Sequence, residues 1–287
     1  MAEKREKSFV AKWLNMEKSS KWVLIWIAIF TLAAWLYMAL SGDGMAGMNM
    51  DMNAGEDAAM QSAMAARALN GIAGISLPSL GMFVPMWFVM CVAMMLPSAV
   101  SMILCMDKLA RDRYNDRRKV PVMVVMFVAG YLIVWLGFGL ICWVAAWFLF
   151  QWLRPFLSQP LHLWLALGLI FLLAGIYQNS KLKNACLHGC QHPLSFLMQY
   201  WKPGNSGALR MGVRHGLHCT GCCAALMIVM FPLGMMNLVW MGIFTLIMYV
   251  EKNAVFGTTV SKVIGWLLLV VGILVTLVSG ILCLIRG

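Results

Sequence analysis

Residues 216–250 read "GLHCTGCCAALMIVMFPLGMMNLVWMGIFTLIMYV". How this stretch folds decides the architecture. As one helix it would run about 52 Å at roughly 1.5 Å per residue, against a hydrocarbon core of about 30 Å. Its middle, "FPLGMMN" at 231–237, holds Pro232, Gly234 and Asn237, three helix breakers in one place. The pattern predicts two helices, 213–233 and 237–256, joined by a tight turn. A single helix kinked at Pro232 is the alternative.

The rest of the chain supplies the class. Its 287 residues are 62% hydrophobic and 11% charged, with mean hydropathy +0.81. A soluble domain cannot hide that much apolar surface. The predicted fold is all-α, a polytopic transmembrane helical bundle. Further apolar runs lie at 22–40, 82–106, 121–150, 161–179 and 263–285. With the hairpin the count is seven spans, and with the kinked helix six. Residues 1–21 form a basic arm and 22–287 a single bundle. The basic leader is too long for a signal peptide and no A-x-A site follows, so the first span is expected to be retained.

Charge sets the orientation. Of the 22 Lys and Arg, all but Arg67, Arg154 and Arg286 fall on the side of the N-terminal arm and the segments 107–119 and 181–214. Basic loops face the cytoplasm, so the N-terminus is expected there. The kinked alternative moves few charges and leaves that side unchanged. The net charge of +11 follows from these loops and does not require nucleic acid as a partner.

Methionine and cysteine are over-used, at 26 and 9. The loop 41–80, expected outside, carries Met45, Met48, Met50 and Met52, then Met60 and Met64. Packing explains methionine in a core but not in a solvated loop. Thioethers are soft, neutral ligands that suit Cu(I) and survive oxidising surroundings as metal ligands where thiols pair. A second set recurs every four residues as Met82, Met86, Met90 and Met94, continuing to Met102 and Met106. That spacing marks one helix face. It reads as a ladder of weak soft sites or as a packing seam. Pro97, followed by Ser98, is expected to kink this span and free a backbone carbonyl beside the stripe.

The segment expected as a cytoplasmic Cys/His loop, 181–215, contains Cys186, His188, Cys190 and His192. The next helix opens with His215, His218, Cys219, Cys222 and Cys223. Cytosolic thiols stay reduced, so a disulfide framework is not expected. C-x3-C with C-x-x-C supplies two or three thiolates for Cu(I), or four for Zn(II). The expected ligands are Cys186, Cys190, Cys219, Cys222 and Cys223, with His188 and His218, and Met90 and Met94 within the membrane. Cys91, Cys105, Cys142 and Cys283 are isolated and read as packing. Glu251 and Lys252 close the sixth span. Glu251 is expected to pair with a basic side chain, and Lys252 to reach out to the interface.

Three motifs in order carry a resemblance: "AMMLPSA" at 93–99, "AGIYQNSKLKNACLHGCQHP" at 174–193, and "GLHCTGCCAALMIVMFPLGMMNLVWM" with "EKN" at 251–253. From Met82 to Asn253 the chain resembles a bacterial family of uncharacterised integral membrane proteins predicted to bind metal. The resemblance implies roles for Met94, Met95, Pro97, Cys186, Cys190, Cys219, Cys222, Cys223, Asn237, Glu251 and Lys252. It also implies the bacterial inner membrane. The family often has an aromatic after the paired cysteines, where this chain has Ala224 and Ala225. A looser likeness, of parts only, is to eukaryotic copper transporters with external Met motifs, an M-x-x-x-M such as Met90 with Met94, and an inner Cys/His site.

The expected function is soft-metal handling. Cu(I) would be captured on the external methionines and passed to the cytoplasmic thiols, with a metal chaperone or a larger membrane complex as partner. A structural Zn(II) or thiol clamp in an assembly factor is the second reading. The third is a thiol oxidoreductase at Cys219 and Cys222. No Ser-His-Asp arrangement, carboxylate pair, nucleotide loop or dinucleotide fingerprint points to other catalysis.

Overall fold

The computed structural model describes residues 18–45, 80–114, 116, 118–157, 160–234, 237–254 and 256–286. They form ten helices and no strand. In chain order these are α1 (Lys18–Met45), α2 (Leu80–Ser98), α3 (Val100–Arg113), α4 (Lys119–Leu157), α5 (Pro160–Gln178), α6 (Lys181–Gln191), α7 (Pro193–Tyr200), α8 (Gly204–Gly234), α9 (Leu238–Asn253) and α10 (Gly257–Arg286).

The stretch 216–250 is broken, not kinked. α8 ends at Gly234, and Asn237 starts α9 by accepting hydrogen bonds from the backbone N–H of Val239 at 3.0 Å and of Trp240 at 3.3 Å. That is an N-cap, which satisfies donors a helix start leaves open. Cys219 lies about four turns before the break and Lys252 about four turns after it. Their side chains nonetheless meet at 3.0 Å. A straight or gently bent helix would hold them about 50 Å apart. α8 and α9 therefore form an antiparallel hairpin.

Among the described residues, five helices are long and apolar enough to cross a membrane: Lys21–Leu40, Leu80–Ser98, Lys119–Leu149, Gly204–Phe231 and Gly257–Leu282. α5 with α6, bent by 60° at residues 179–180, makes a sixth if the pair is one broken span. α9 is a separate helix but a short one, about 24 Å long at roughly 1.5 Å per residue. The expected seventh, α9, is present as a helix but falls short of a spanning length, and the fourth apolar run turns sharply where α6 begins.

Two other expectations change. The segment 181–215 is not a loop. It holds α6, α7 and the first three turns of α8. Ser180 caps α6 by accepting from the backbone N–H of Lys183 at 3.2 Å. α8 starts early, at Gly204, whose φ of +81° lies in the left-handed region that favours glycine. The run 82–106 is likewise two helices, divided at Ala99. Pro97 has no N–H to offer Ala93, four residues back. That freed carbonyl is taken by the Trp35 indole of α1 at 3.1 Å. The proline thus frees a carbonyl as expected, but a neighbouring helix uses it.

Close helix approach positions the core. A Cβ on Gly130 of α4 would collide with the backbone of Leu209, and one on Gly212 of α8 with that of Phe127. α5 and α10 pack antiparallel on Gly168, Gly175, Gly265 and Gly272. Small residues at such seams let apolar helices gain contact where the hydrophobic effect offers little between them. The interior is built from α2, α4, α8 and α9. Trp87, Met94, Met95, Phe127, Tyr131, Trp135, Met227 and Met248 are all buried there.

Candidate metal centre

The site grows from one turn of α8. Cys219, Cys222 and Cys223 lie at i, i+3 and i+4, which places them on one face. All three are buried, and their sulfurs lie within 4.8 Å of one another. Cys222 Sγ is 3.5 Å from Cys223 Sγ and donates to the Cys219 carbonyl at 3.1 Å. Among the described residues this is the one group of three or more Cys, His, Asp or Glu side chains arranged to hold a metal ion.

α6 adds a fourth thiol. Cys190 Sγ lies 3.9 Å from Cys222 Sγ. Gly221 makes this approach possible: a Cβ there would sit 2.6 Å from Cys186 Sγ. Cys186 therefore rests on the α8 backbone at Gly221, half-buried, while Cys190 one turn on reaches the thiols. Tyr177 of α5 fastens the same point by donating to the Gly221 carbonyl at 2.6 Å.

α6 is anchored by a buried ion pair. Lys183 donates to both carboxylate oxygens of Glu251, at 3.1 and 2.9 Å, and neither side chain is more than 1% exposed. Gln178 donates to the same carboxylate at 2.6 Å, and Gln191 to the Glu251 backbone carbonyl at 2.7 Å. Such a pair is tolerable out of water only because its lone pairs are also hydrogen-bonded. The expected pairing of Glu251 with a basic side chain is what the structure holds.

Lys252 behaves differently from expectation. It does not reach out to an interface. It points inward, only 5% exposed, and donates to Cys219 Sγ at 3.0 Å and to Ser98 Oγ at 2.9 Å. Cys219 Sγ also meets Tyr131 Oη at 3.1 Å. Ser98 and Tyr131 both donate to the Met95 carbonyl, at 2.9 and 3.2 Å. That carbonyl also keeps its helical partner, the backbone N–H of Ala99 at 3.1 Å. Four helices thus converge on Cys219: α8 with the thiol, α9 with the ammonium, α2 with Ser98 and Met95, and α4 with Tyr131.

The remaining expected ligands are more dispersed. His188 is exposed on the far side of α6, with its ring 4.3 Å from that of His192. Two residues from Cys190 on a helix, it points the opposite way. His218 stands between α8 and α6, with Nδ1 over Gly189 and its ring edge-on to Phe196 at 5.2 Å, outside the three-thiol group. Met90 and Met94 are buried in α2, about two turns and one turn before Ser98. The methionine stripe runs from exposed Met82 through half-buried Met86 into this core. Met45 closes α1 with its side chain outside the described residues, and Met48, Met50 and Met52 lie wholly outside them.

Ser98 and Tyr131 were not legible as site residues. Each lies in a largely apolar run, and only the packing of α2 and α4 on α8 and α9 brings Tyr131 to the Cys219 sulfur and Ser98 to the ammonium beside it.

Chemically this is a dry cluster of soft donors with one fixed positive charge. Thiolates suit Cu(I) and Zn(II) and do not suit hard cations. A buried anionic site needs a counter-charge, and Lys252 supplies it. No curated protein and no solved structure matches the chain. Residues 84–275 match a family described as PpoB2, copper chaperone, and they contain every member of the cluster. The chain belongs to this copper chaperone family.

Proposed function

We propose that the protein holds Cu(I) on thiolates drawn from Cys190, Cys219, Cys222 and Cys223 inside a membrane bundle and passes it to a partner. The carrying observation is the buried three-thiol group with an ammonium 3.0 Å from Cys219. Two thiolates and Cu(I) carry one net negative charge, and Lys252 neutralises it. Copper enters this proposal as cargo, so several similar sulfurs are an advantage. Each exchange swaps one thiolate for another, and no step exposes a bare ion.

In this reading the bundle 22–287 sits in the bacterial inner membrane in seven spans, α9 completing the count. The arm 1–21 is cytoplasmic, as are α6 and α7. The external loop 41–80 collects copper on Met45, Met48, Met50 and Met52, and the Met90–Met94 face lies between that loop and the thiols. The basic bias of the cytoplasmic segments and the family support this arrangement. Delivery to a membrane-complex subunit or a soluble metal chaperone follows.

The test is Cu(I) loading of purified, reduced protein. One tightly held copper per chain is expected, lost in Cys219→Ser/Cys222→Ser. Protein that stays copper-free after loading would end the proposal. Deleting 45–52 should leave affinity unchanged and slow copper acquisition in cells.

A structural zinc clamp is the second reading, favoured by the sulfur spacing. Tetrahedral Zn–S bonds of about 2.3 Å place sulfurs roughly 3.8 Å apart, close to the 3.5 and 3.9 Å found here. Zinc that co-purifies, resists Cu(I), and unfolds α6 on removal would establish this reading instead.

A further inference from the structure

His215 lies one turn before Cys219 on the same face of α8. It is 2% exposed, yet neither Nδ1 nor Nε2 has a hydrogen-bond partner. Its ring is held by aromatic neighbours on α4 and α7: stacked on Phe127 at 5.8 Å and on Tyr131 at 5.2 Å, with Phe196 edge-on at 5.9 Å. Tyr131 is the same residue whose hydroxyl touches Cys219. One side chain therefore packs on the imidazole and contacts the nearest sulfur.

A neutral imidazole carries one donor and one acceptor. Leaving both unmet away from water costs about 1–3 kcal/mol per group. A phenylalanine would fill this aromatic slot without that cost. Packing alone thus does not account for a histidine here. His218, one turn from His215 in the other phase and edge-on to the same Phe196, also has an unpartnered buried Nδ1. Two unsatisfied imidazoles adjoin the one thiol group on the side away from the hairpin turn.

We propose that His215 is a copper ligand, forming with Cys219 a mixed nitrogen–sulfur station one turn beyond the three thiols. It rests on the reading of the cluster as a Cu(I) site. His215 nitrogen does not belong to the compact sulfur group, so the two sets are successive positions for one ion. Copper held by all-sulfur ligation moves to Cys219 and the imidazole as one thiolate is exchanged for nitrogen. The metal stays Cu(I) throughout, with no electron transferred. Copper rests at this mixed station, and a partner thiolate takes it by replacing the neutral imidazole.

The test is copper K-edge X-ray absorption on full-length protein in detergent or nanodiscs, reduced and loaded with one equivalent of Cu(I). The wild type should show a nitrogen shell with imidazole multiple scattering beside sulfur. His215→Phe, which keeps the aromatic slot filled, should give sulfur only. Competition with a chromophoric Cu(I) chelator should show copper transfer to a partner dithiol slowed at least about tenfold in that variant. An all-sulfur wild-type shell overturns the proposal while leaving the thiol reading intact. An imidazole signature retained in His215→Phe overturns it too. Failure to bind copper at all sinks both. The wild-type spectrum decides the matter even if the variant does not fold.

Discussion

Replacing Lys252 with methionine tests the electrostatic logic of the site most directly. The ammonium lies 3.0 Å from Cys219 Sγ in a buried setting. At that distance and an effective dielectric of ~20, a full thiolate–ammonium attraction is about 5 kcal/mol. Removing one partner of a buried pair typically costs about 3–5 kcal/mol once a charge is left uncompensated. That cost applies when metal holds Cys219 as thiolate. In the metal-free protein the sulfur can take a proton, and a buried lysine replaced by an apolar side chain of similar length is roughly neutral or stabilising. The two states therefore respond differently. Cu(I) affinity should fall about 100- to 3000-fold, since each 1.4 kcal/mol is tenfold. The melting temperature of metal-free protein should hold or rise. Chelator competition gives the first quantity, and thermal unfolding in matched detergent the second. A dissociation constant within about threefold of wild type, in a variant that melts normally, would refute charge compensation by Lys252.

Gly221→Ala should push α6 off α8, because its Cβ would stand 2.6 Å from Cys186 Sγ. The cost should be about 1–3 kcal/mol, seen as a lower melting temperature and a slower oxidative crosslink between Cys190 and Cys222. Glu251→Gln alone should destabilise by about 3–5 kcal/mol, while Lys183→Met with Glu251→Met recovers most of that loss. Denaturation of the single and double variants checks this, and additive losses would count against a coupled pair. Cys186→Ser should change Cu(I) affinity little and Cys190→Ser substantially, since only Cys190 has its sulfur beside Cys222. Equal effects in a chelator titration would show that α6 presents both thiols to the metal.

Much of this architecture is written in local patterns. The apolar runs, the breakers at 232–237 and the C-x-x-C-C spacing are read directly, because helix formation, helix termination and the facing of i, i+3 and i+4 side chains are short-range matters. The boundaries were less legible. α6 and α7 replace an expected loop because Ser180 and Pro193 start helices whose apolar faces gain their partners only in the packed bundle. The hairpin of α8 and α9 was legible from its breakers, while the shorter extent of α9, Leu238–Asn253, was not.

By itself, the sequence determined an all-helical apolar chain and three thiols on one face of a helix, with a turn four helical turns later. The tertiary structure alone decided which groups meet those thiols. Cys186 and Cys190 are equivalent in spacing, yet only one reaches Cys222, because the register of α6 on α8 is set by Gly221 and by the Lys183–Glu251 pair. His188 is excluded by the same register. Lys252 turns inward because the hairpin brings it level with Cys219, and Ser98 and Tyr131 arrive from two other helices. Periodicity fixes the direction of a side chain around its own helix axis. The partner in that direction is set by the rotation and shift of a neighbouring helix, and those depend on contacts far apart in the chain.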